Sequence, residues 1–201
     1  MGGAFWVCAV SASLIYVMGP SGVGKDSLLN WLRAHVRSLP TPPALHFARR
    51  TVTRSLDNSN EDHEAVGFDA FAQLLQAGAF ALHWQAHGLH YGVRHEEIAG
   101  RSGWVLVNGS RAYAAQARAL FPGVIALHVS APEAVVRARL AARQRETAEE
   151  VEARIQRSQS AGVAAAPGDL HIVNADALET TAQRLCEMLQ IRTGLRLTEP
   201  I

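Results

Sequence analysis

Gly19-Pro20-Ser21-Gly22-Val23-Gly24-Lys25-Asp26-Ser27 is the stretch around which this chain is organised. It follows the apolar run Leu14-Ile15-Tyr16-Val17-Met18 and precedes a segment in which Leu28, Leu29, Leu32 and Val36 recur at helical spacing. A short strand, a glycine-rich turn and a helix form the context in which G-x-x-x-x-G-K folds as a phosphate-binding loop. The glycines let successive N–H groups turn inward around an anion, and the helix N-terminus adds partial positive charge. Lys25 then supplies a point charge for the β- and γ-phosphates of a nucleotide. The residues from Gly19 to Ser27 are therefore the expected seat of ATP and Mg²⁺. Where the general pattern has Ser or Thr after the lysine as a magnesium ligand, this chain has Asp26, with Ser27 one place later. Both are candidate metal contacts, and Asp26 equally suits the first turn of a helix.

The chain has 201 residues, 48% hydrophobic and 18% charged, which fits one soluble domain with room for small inserted lobes. A net charge of +1 argues against a broad nucleic-acid or membrane footprint, so anion binding is expected to be local. No apolar run reaches the ~20 residues that a membrane span needs. The apolar start, Ala4 to Val10, lacks a basic flank and does not read as a signal peptide. Cys8 and Cys186 have no metal or disulfide spacing, which suits a reducing cytoplasm. A homodimer is left open.

Beyond the first helix, Ser38-Leu39-Pro40-Thr41-Pro42-Pro43 is a break, and Ala44 to Ala48 reads as a second strand. That strand is expected to deliver Arg49, Arg50 and Arg54 to a loop, with a polar, acidic run from Asp57 to Glu64 behind it. Phe68 to Phe80 reads as helical, and Ala81 to Val93, with Gly88 at its middle, as a hairpin. Trp104 to Val107, Val124 to Val129 and His171 to Asn174 read as buried strands. Helices are expected from near Arg111, from Glu133, from Ala148 to about Ser160, and from Ala177 to Ile191. Strands alternating with helices imply an α/β fold, a mostly parallel sheet covered on both faces. Its ligand belongs at the carboxyl ends of the strands, where the loop, Asn108 and Asn174 fall. One domain is expected: a core of about 13–49, 96–136 and 161–201, an inserted lobe of about 50–95, and an arginine-rich lid of about 137–160.

Phosphoryl transfer needs a cradle for the donor, positive charge at the transferring group and an aligned acceptor. Arg137, Arg139, Arg143 and Arg154 could close over the phosphates, or could instead form ion pairs with Glu146, Glu149, Glu150 and Glu152. No Ser-His-Asp set is present, and His83, His87 and His90 do not make a zinc motif. Nor does the sequence offer an obvious general base. A phosphate acceptor is already an anion and needs none.

Gly19 to Lys25, Thr51-Val52-Thr53-Arg54, Tyr91-Gly92 and Arg139-Leu140-Ala141-Ala142-Arg143 resemble the guanylate kinase branch of the P-loop kinases over nearly the full length. That resemblance implies a P-loop kinase fold with an acceptor lobe and a lid. It implies that Arg54 and Tyr91 hold the acceptor's phosphate. Arg139, Arg143 and Arg154 would act on the transferring phosphoryl, and Asn174 would lie near the base of ATP. The acidic residues with which guanylate kinases read guanine are replaced by Gln85 and Asn108, and the family's second phosphate-binding arginine by Asp57. Lys25-Asp26-Ser27-Leu28-Leu29, Arg50 to Arg54, His87 to Val93 and Asn108-Gly109-Ser110-Arg111 resemble the ribose 1,5-bisphosphate phosphokinase family more closely. That family transfers the γ-phosphate of ATP to the 1-phosphate of ribose 1,5-bisphosphate, giving 5-phosphoribosyl diphosphate, and serves bacterial phosphonate breakdown. The resemblance implies a sugar-phosphate substrate held by Arg50, Arg54, Gln85, Tyr91, Asn108 and Arg111. The competing expectation is a nucleoside monophosphate kinase of the guanylate kinase type.

Overall fold

The computed structural model describes residues 12–54, 62–86, 88–142, 149, 152–153, 155–156 and 166–198. Cys8, Asp57, His87, Arg143 and Arg154, together with most of the expected lid, lie outside the described residues.

Strand β1 (Ser13–Met18) is buried along almost its whole length. Its side chains alternate between two cores, as period two demands of a strand covered on both faces. Ile15 and Val17 enter one core, where helix α1 (Lys25–Ser38) contributes Leu28, Leu29, Leu32 and Val36. Leu14, Tyr16 and Met18 enter the other. Strands β2 (Leu45–Phe47), β7 (Trp104–Asn108), β8 (Ile125–Ser130) and β9 (Leu170–Val173) complete a sheet of order β2-β7-β1-β8-β9. Every pairing in it is parallel, so the expected α/β architecture is present. Helix α5 (Leu178–Thr193) packs Ala182, Leu185, Cys186 and Leu189 beside α1 in the first core. Helix α3 (Ala114–Leu120) covers the opposite face with Ala114 and Ala117. Helix α4 (Glu133–Ala142) seats Val136 and Leu140 in the first core as well.

Between β2 and β7 stands a second sheet, order β4-β3-β6-β5. It comprises β3 (Arg50–Val52), β4 (His63–Ala65), β5 (Phe80–Ala86) and β6 (Leu89–Arg94). Two of these strands depart from the sequence reading. Arg50–Val52 is paired with β6 rather than in a loop, and His63–Ala65 joins β3 in parallel within the run read as polar and acidic. Helix α2 (Phe68–Gln76) stops short of Phe80 because Gly78 turns left-handed at φ 66°. Val52, Leu82, Trp84, Tyr91 and Val93 pack in the same core as Leu14, Tyr16 and Val107, so the inserted sheet is seated on the central one. No helix among the described residues is long and apolar enough to cross a membrane.

Candidate active site

The loop after β1 is shaped by glycine where no other residue fits. Gly22 and Gly24 sit at φ 86° and 88°, the left-handed region that side chains disfavour. A Cβ on Gly24 would also strike Asn174 Nδ2, and one on Gly19 would strike the carbonyl of Val129. These contacts bring the loop against β8 and the end of β9. Lys25, the first residue of α1, donates from Nζ to the carbonyls of Gly19 at 2.8 Å and Pro20 at 2.9 Å. Its ammonium is thereby drawn over the concave side of the loop. Pro20 and Ser21 are half-buried within it, and Asp26 and Ser27 are exposed on the first helical turn.

Behind the loop, Asn174 donates from Nδ2 to Val23 O at 2.8 Å. Arg139, from α4, donates to Val23 O at 3.3 Å and to Asn174 O at 3.1 Å. Asn174 is 2% exposed and buttresses the loop from behind. Arg139 is bonded to neutral oxygens and to no carboxylate among the described residues, so its charge is spent beside the loop. Arg137 differs: it pairs with Glu133 at 2.8 Å and Glu152 at 2.6 Å on the surface.

Arg50 and Tyr91 meet because β3 and β6 are antiparallel with Val52 opposite Tyr91, which puts Arg50 on the same face one pleat away. The Arg50 guanidinium lies 5.1 Å from the centre of the Tyr91 ring, which in turn stacks on Trp84 at 5.6 Å. Arg50 donates to the Asn108 carbonyl at 3.1 Å, and Asn108 Nδ2 donates to Asp26 Oδ1 at 2.8 Å. Arg54 follows on the same lobe, with its Nε buried and without a hydrogen-bond partner among the described residues. Arg111 opens the 3₁₀ turn after β7, and burial lowers its pKa.

Two features of this arrangement were not visible in the sequence. The Tyr16 hydroxyl accepts from Ser110 N–H at 2.8 Å and donates to Ser110 O at 3.0 Å, pinning the turn that carries Asn108 and Arg111. Burial pushes the Tyr16 pKa far up, so the hydroxyl stays protonated. A Cβ on Gly109 would run into the Tyr16 ring, which is why glycine stands in Asn108-Gly109-Ser110-Arg111. That glycine was the only signal available. A second group, Thr51, Glu64 and Arg94, ties β3, β4 and β6 together. Burial pushes the Glu64 carboxyl up, but the bonds from Thr51 and Arg94 outweigh it and hold the pKa low.

Gln85 is not brought to Arg50 and Tyr91. It pairs with His90, one position beyond the Trp84–Tyr91 pair, and so faces the other side of the hairpin. There it is exposed and lines a cleft of about 400 Å³ with Phe71, Trp84, His90, Ser110 and Tyr113, which runs to the turn carrying Asn108 and Arg111.

No family model matches the chain. Among curated proteins it is similar to the ribose 1,5-bisphosphate phosphokinase PhnN of Burkholderia pseudomallei, with 41% identity over 179 residues, 88% of this chain and 95% of that protein. The ribose 1,5-bisphosphate phosphokinase PhnN of Azotobacter vinelandii is 41% identical over 187 residues, 89% of this chain and 96% of that one. A protein of the same name from Janthinobacterium is 40% identical over 184 residues, 90% of this chain but 39% of its own length. The chain thus spans about two-fifths of that relative. Among solved structures, guanylate kinase from Anaplasma phagocytophilum matches with a TM-score of 0.61 and 19% identity, over 92% of this chain and 87% of that one. That likeness is one of fold.

Proposed function

The chain belongs to the ribose 1,5-bisphosphate phosphokinase family, and on that premise we propose that it transfers the γ-phosphate of ATP to the 1-phosphate of ribose 1,5-bisphosphate. The products are 5-phosphoribosyl 1-diphosphate and ADP. The observation that carries the reading is the line from Asp26 through Asn108 to Arg50, which joins the donor loop to a cation of the inserted lobe. ATP and its Mg²⁺ supply the transferable phosphoryl and offset its charge when bound; the residues from Gly19 to Ser27 would hold them. Lys25 and Arg139 would neutralise charge on the β- and γ-phosphates. Arg50 and Arg54, and Arg111 across the turn, would hold the two phosphates of the sugar at separate ends, guanidinium against phosphate being a planar, bidentate match. No residue need take a proton, because the attacking group is a phosphate oxygen already charged. Arg143 and Arg154 complete the reading as lid arginines, and 50–95 and 137–160 as acceptor lobe and lid.

A nucleoside monophosphate kinase is the other reading. Asn108 gives its amide N–H to Asp26, so it offers guanine no carboxylate, and Gln85 faces away from Arg50. Sites that lack the partners for a base discriminate steeply against it. The test is kcat/KM with ATP and three acceptors. Ribose 1,5-bisphosphate is expected to exceed guanosine monophosphate by at least ~100-fold. Ribose 5-phosphate, which lacks the receiving phosphate, is expected to be inert. Guanosine monophosphate turned over equally well or better overturns the assignment.

A further inference from the structure

Asn108 touches both halves of the site at once. It ends β7, where its backbone is set opposite Val17 of β1, and the next N–H, that of Gly109, donates to Val17 O at 2.8 Å. It is 7% exposed. Its side-chain nitrogen donates to Asp26 Oδ1 at 2.8 Å, and its backbone carbonyl accepts from Arg50 Nη1 at 3.1 Å. The direction of the first bond is fixed by chemistry: an ionised carboxylate can only accept, so the amide must donate. Asp26 directly follows Lys25, and its second oxygen, Oδ2, makes no hydrogen bond among the described residues. One oxygen is held and the other is left to turn toward the loop.

We propose that Asn108 is a positioning residue that sets the donor metal site and the acceptor site together. Its amide orients the Asp26 carboxylate so that Oδ2 can reach the Mg²⁺ of MgATP, directly or through water. Its backbone carbonyl, a group any residue at this place would offer, holds Arg50 where the acceptor phosphate arrives. Asp26 and Asn108 are then a matched pair: a carboxylate after the loop lysine requires a donor at the end of β7. The proposal deepens the kinase reading and rests on it. Replacing Asn108 by Asp would set two carboxylates at hydrogen-bond distance, and like charges so close drive one apart or force it to take a proton.

The pair is tested by a double-mutant cycle of wild type, Asp26→Asn, Asn108→Asp and the exchanged double variant. Two measurements are made on each: the ligand-free thermal midpoint and calorimetric binding of ATP across a Mg²⁺ titration. Asn108→Asp is expected to lower the midpoint and to shift the Mg²⁺ dependence of ATP binding by about tenfold or more. The exchanged variant rebuilds an amide–carboxylate bond with its direction reversed. It is expected to recover the midpoint. Its Mg²⁺ dependence should stay shifted, because the charge has moved from the helix to the strand. A double variant whose midpoint is no better than the two single effects combined overturns the proposal, and so does an Asn108→Asp variant that binds ATP with an unchanged Mg²⁺ dependence. Should Asn108→Asp not fold, Asn108→Ala removes the donor without adding charge, and an unchanged Mg²⁺ dependence there overturns it equally. Midpoint and ATP binding need no acceptor, so they decide this pairing even if ribose 1,5-bisphosphate proves not to be the substrate.

Discussion

Lys25 is the residue whose expected role the sequence states most directly, because a lysine after G-x-x-x-x-G at a helix N-terminus is placed to meet phosphate. Its ammonium rests on Gly19 O and Pro20 O and serves no packing contact in either core. Lys25→Ala is therefore expected to cut kcat by ~10²–10³, the cost of one lost transition-state contact in a water-poor site, with the circular dichroism and melting point preserved. A variant keeping more than about a tenth of wild-type rate contradicts its assignment. Other residues were less legible for geometric reasons. Gln85 faces away from Arg50 and Tyr91 because a one-residue step along a strand reverses the face, and the register was set by a hairpin whose pairing the sequence did not state. Tyr16 was read only as an apolar strand residue. Nothing local ties position 16 to Ser110, 94 residues away, and only the fold brings its hydroxyl there.

At the scale of elements, the long periodic segments and Leu45–Phe47, apolar at both ends, were readable, and the three-residue strands β3 and β4 were not. Arg50–Val52 and His63–Ala65 each begin with two charged or polar residues, and they become strands only through pairing with β6 and with each other. What anchors the far edge of the main sheet was likewise invisible. Asp169, just before β9, accepts from Arg118 of α3 at 2.7 Å, from His128 of β8 at 2.8 Å and from Ala166 N–H at 2.9 Å. Its side chain is 3% exposed, so removing its charge leaves Arg118 facing a neutral amide in a mostly buried place. Asp169→Asn is expected to cost about 3 kcal/mol of stability at pH 7. Burial raises the Asp169 pKa, yet the Ala166, Arg118 and His128 bonds outweigh it and leave the pKa below the ordinary aspartate value. The folded carboxyl thus holds its proton less tightly than the unfolded one. Its stabilisation is complete above about pH 4 and is lost as pH falls through the lowered folded value. Denaturant melts of wild type and Asp169→Asn from pH 3 to 7 should converge at the acid end. A gap that stays constant over that range contradicts this account.

For the molecule as a whole, the sequence conveyed a parallel sheet with an inserted segment, because β1, the loop and α1 form one strand–turn–helix unit that fixes where ligands sit. It did not convey that the inserted sheet shares a core with the central one. Val52, Leu82, Trp84, Tyr91 and Val93 lie in one cluster with Leu14, Tyr16 and Val107, a joining of residues remote in sequence. That shared core seats Arg50 against the end of β7, and so beside the donor loop. The central claim is that the acceptor so presented is a phosphate on a sugar, not a hydroxyl and not a nucleotide. Phosphorus NMR of the purified protein with ATP, Mg²⁺ and ribose 1,5-bisphosphate tests it most directly. The expected result is a new pair of mutually coupled diphosphate resonances, an unchanged 5-phosphate signal, and ADP formed in equal amount. No new diphosphate under conditions where guanosine monophosphate yields guanosine diphosphate would contradict the claim.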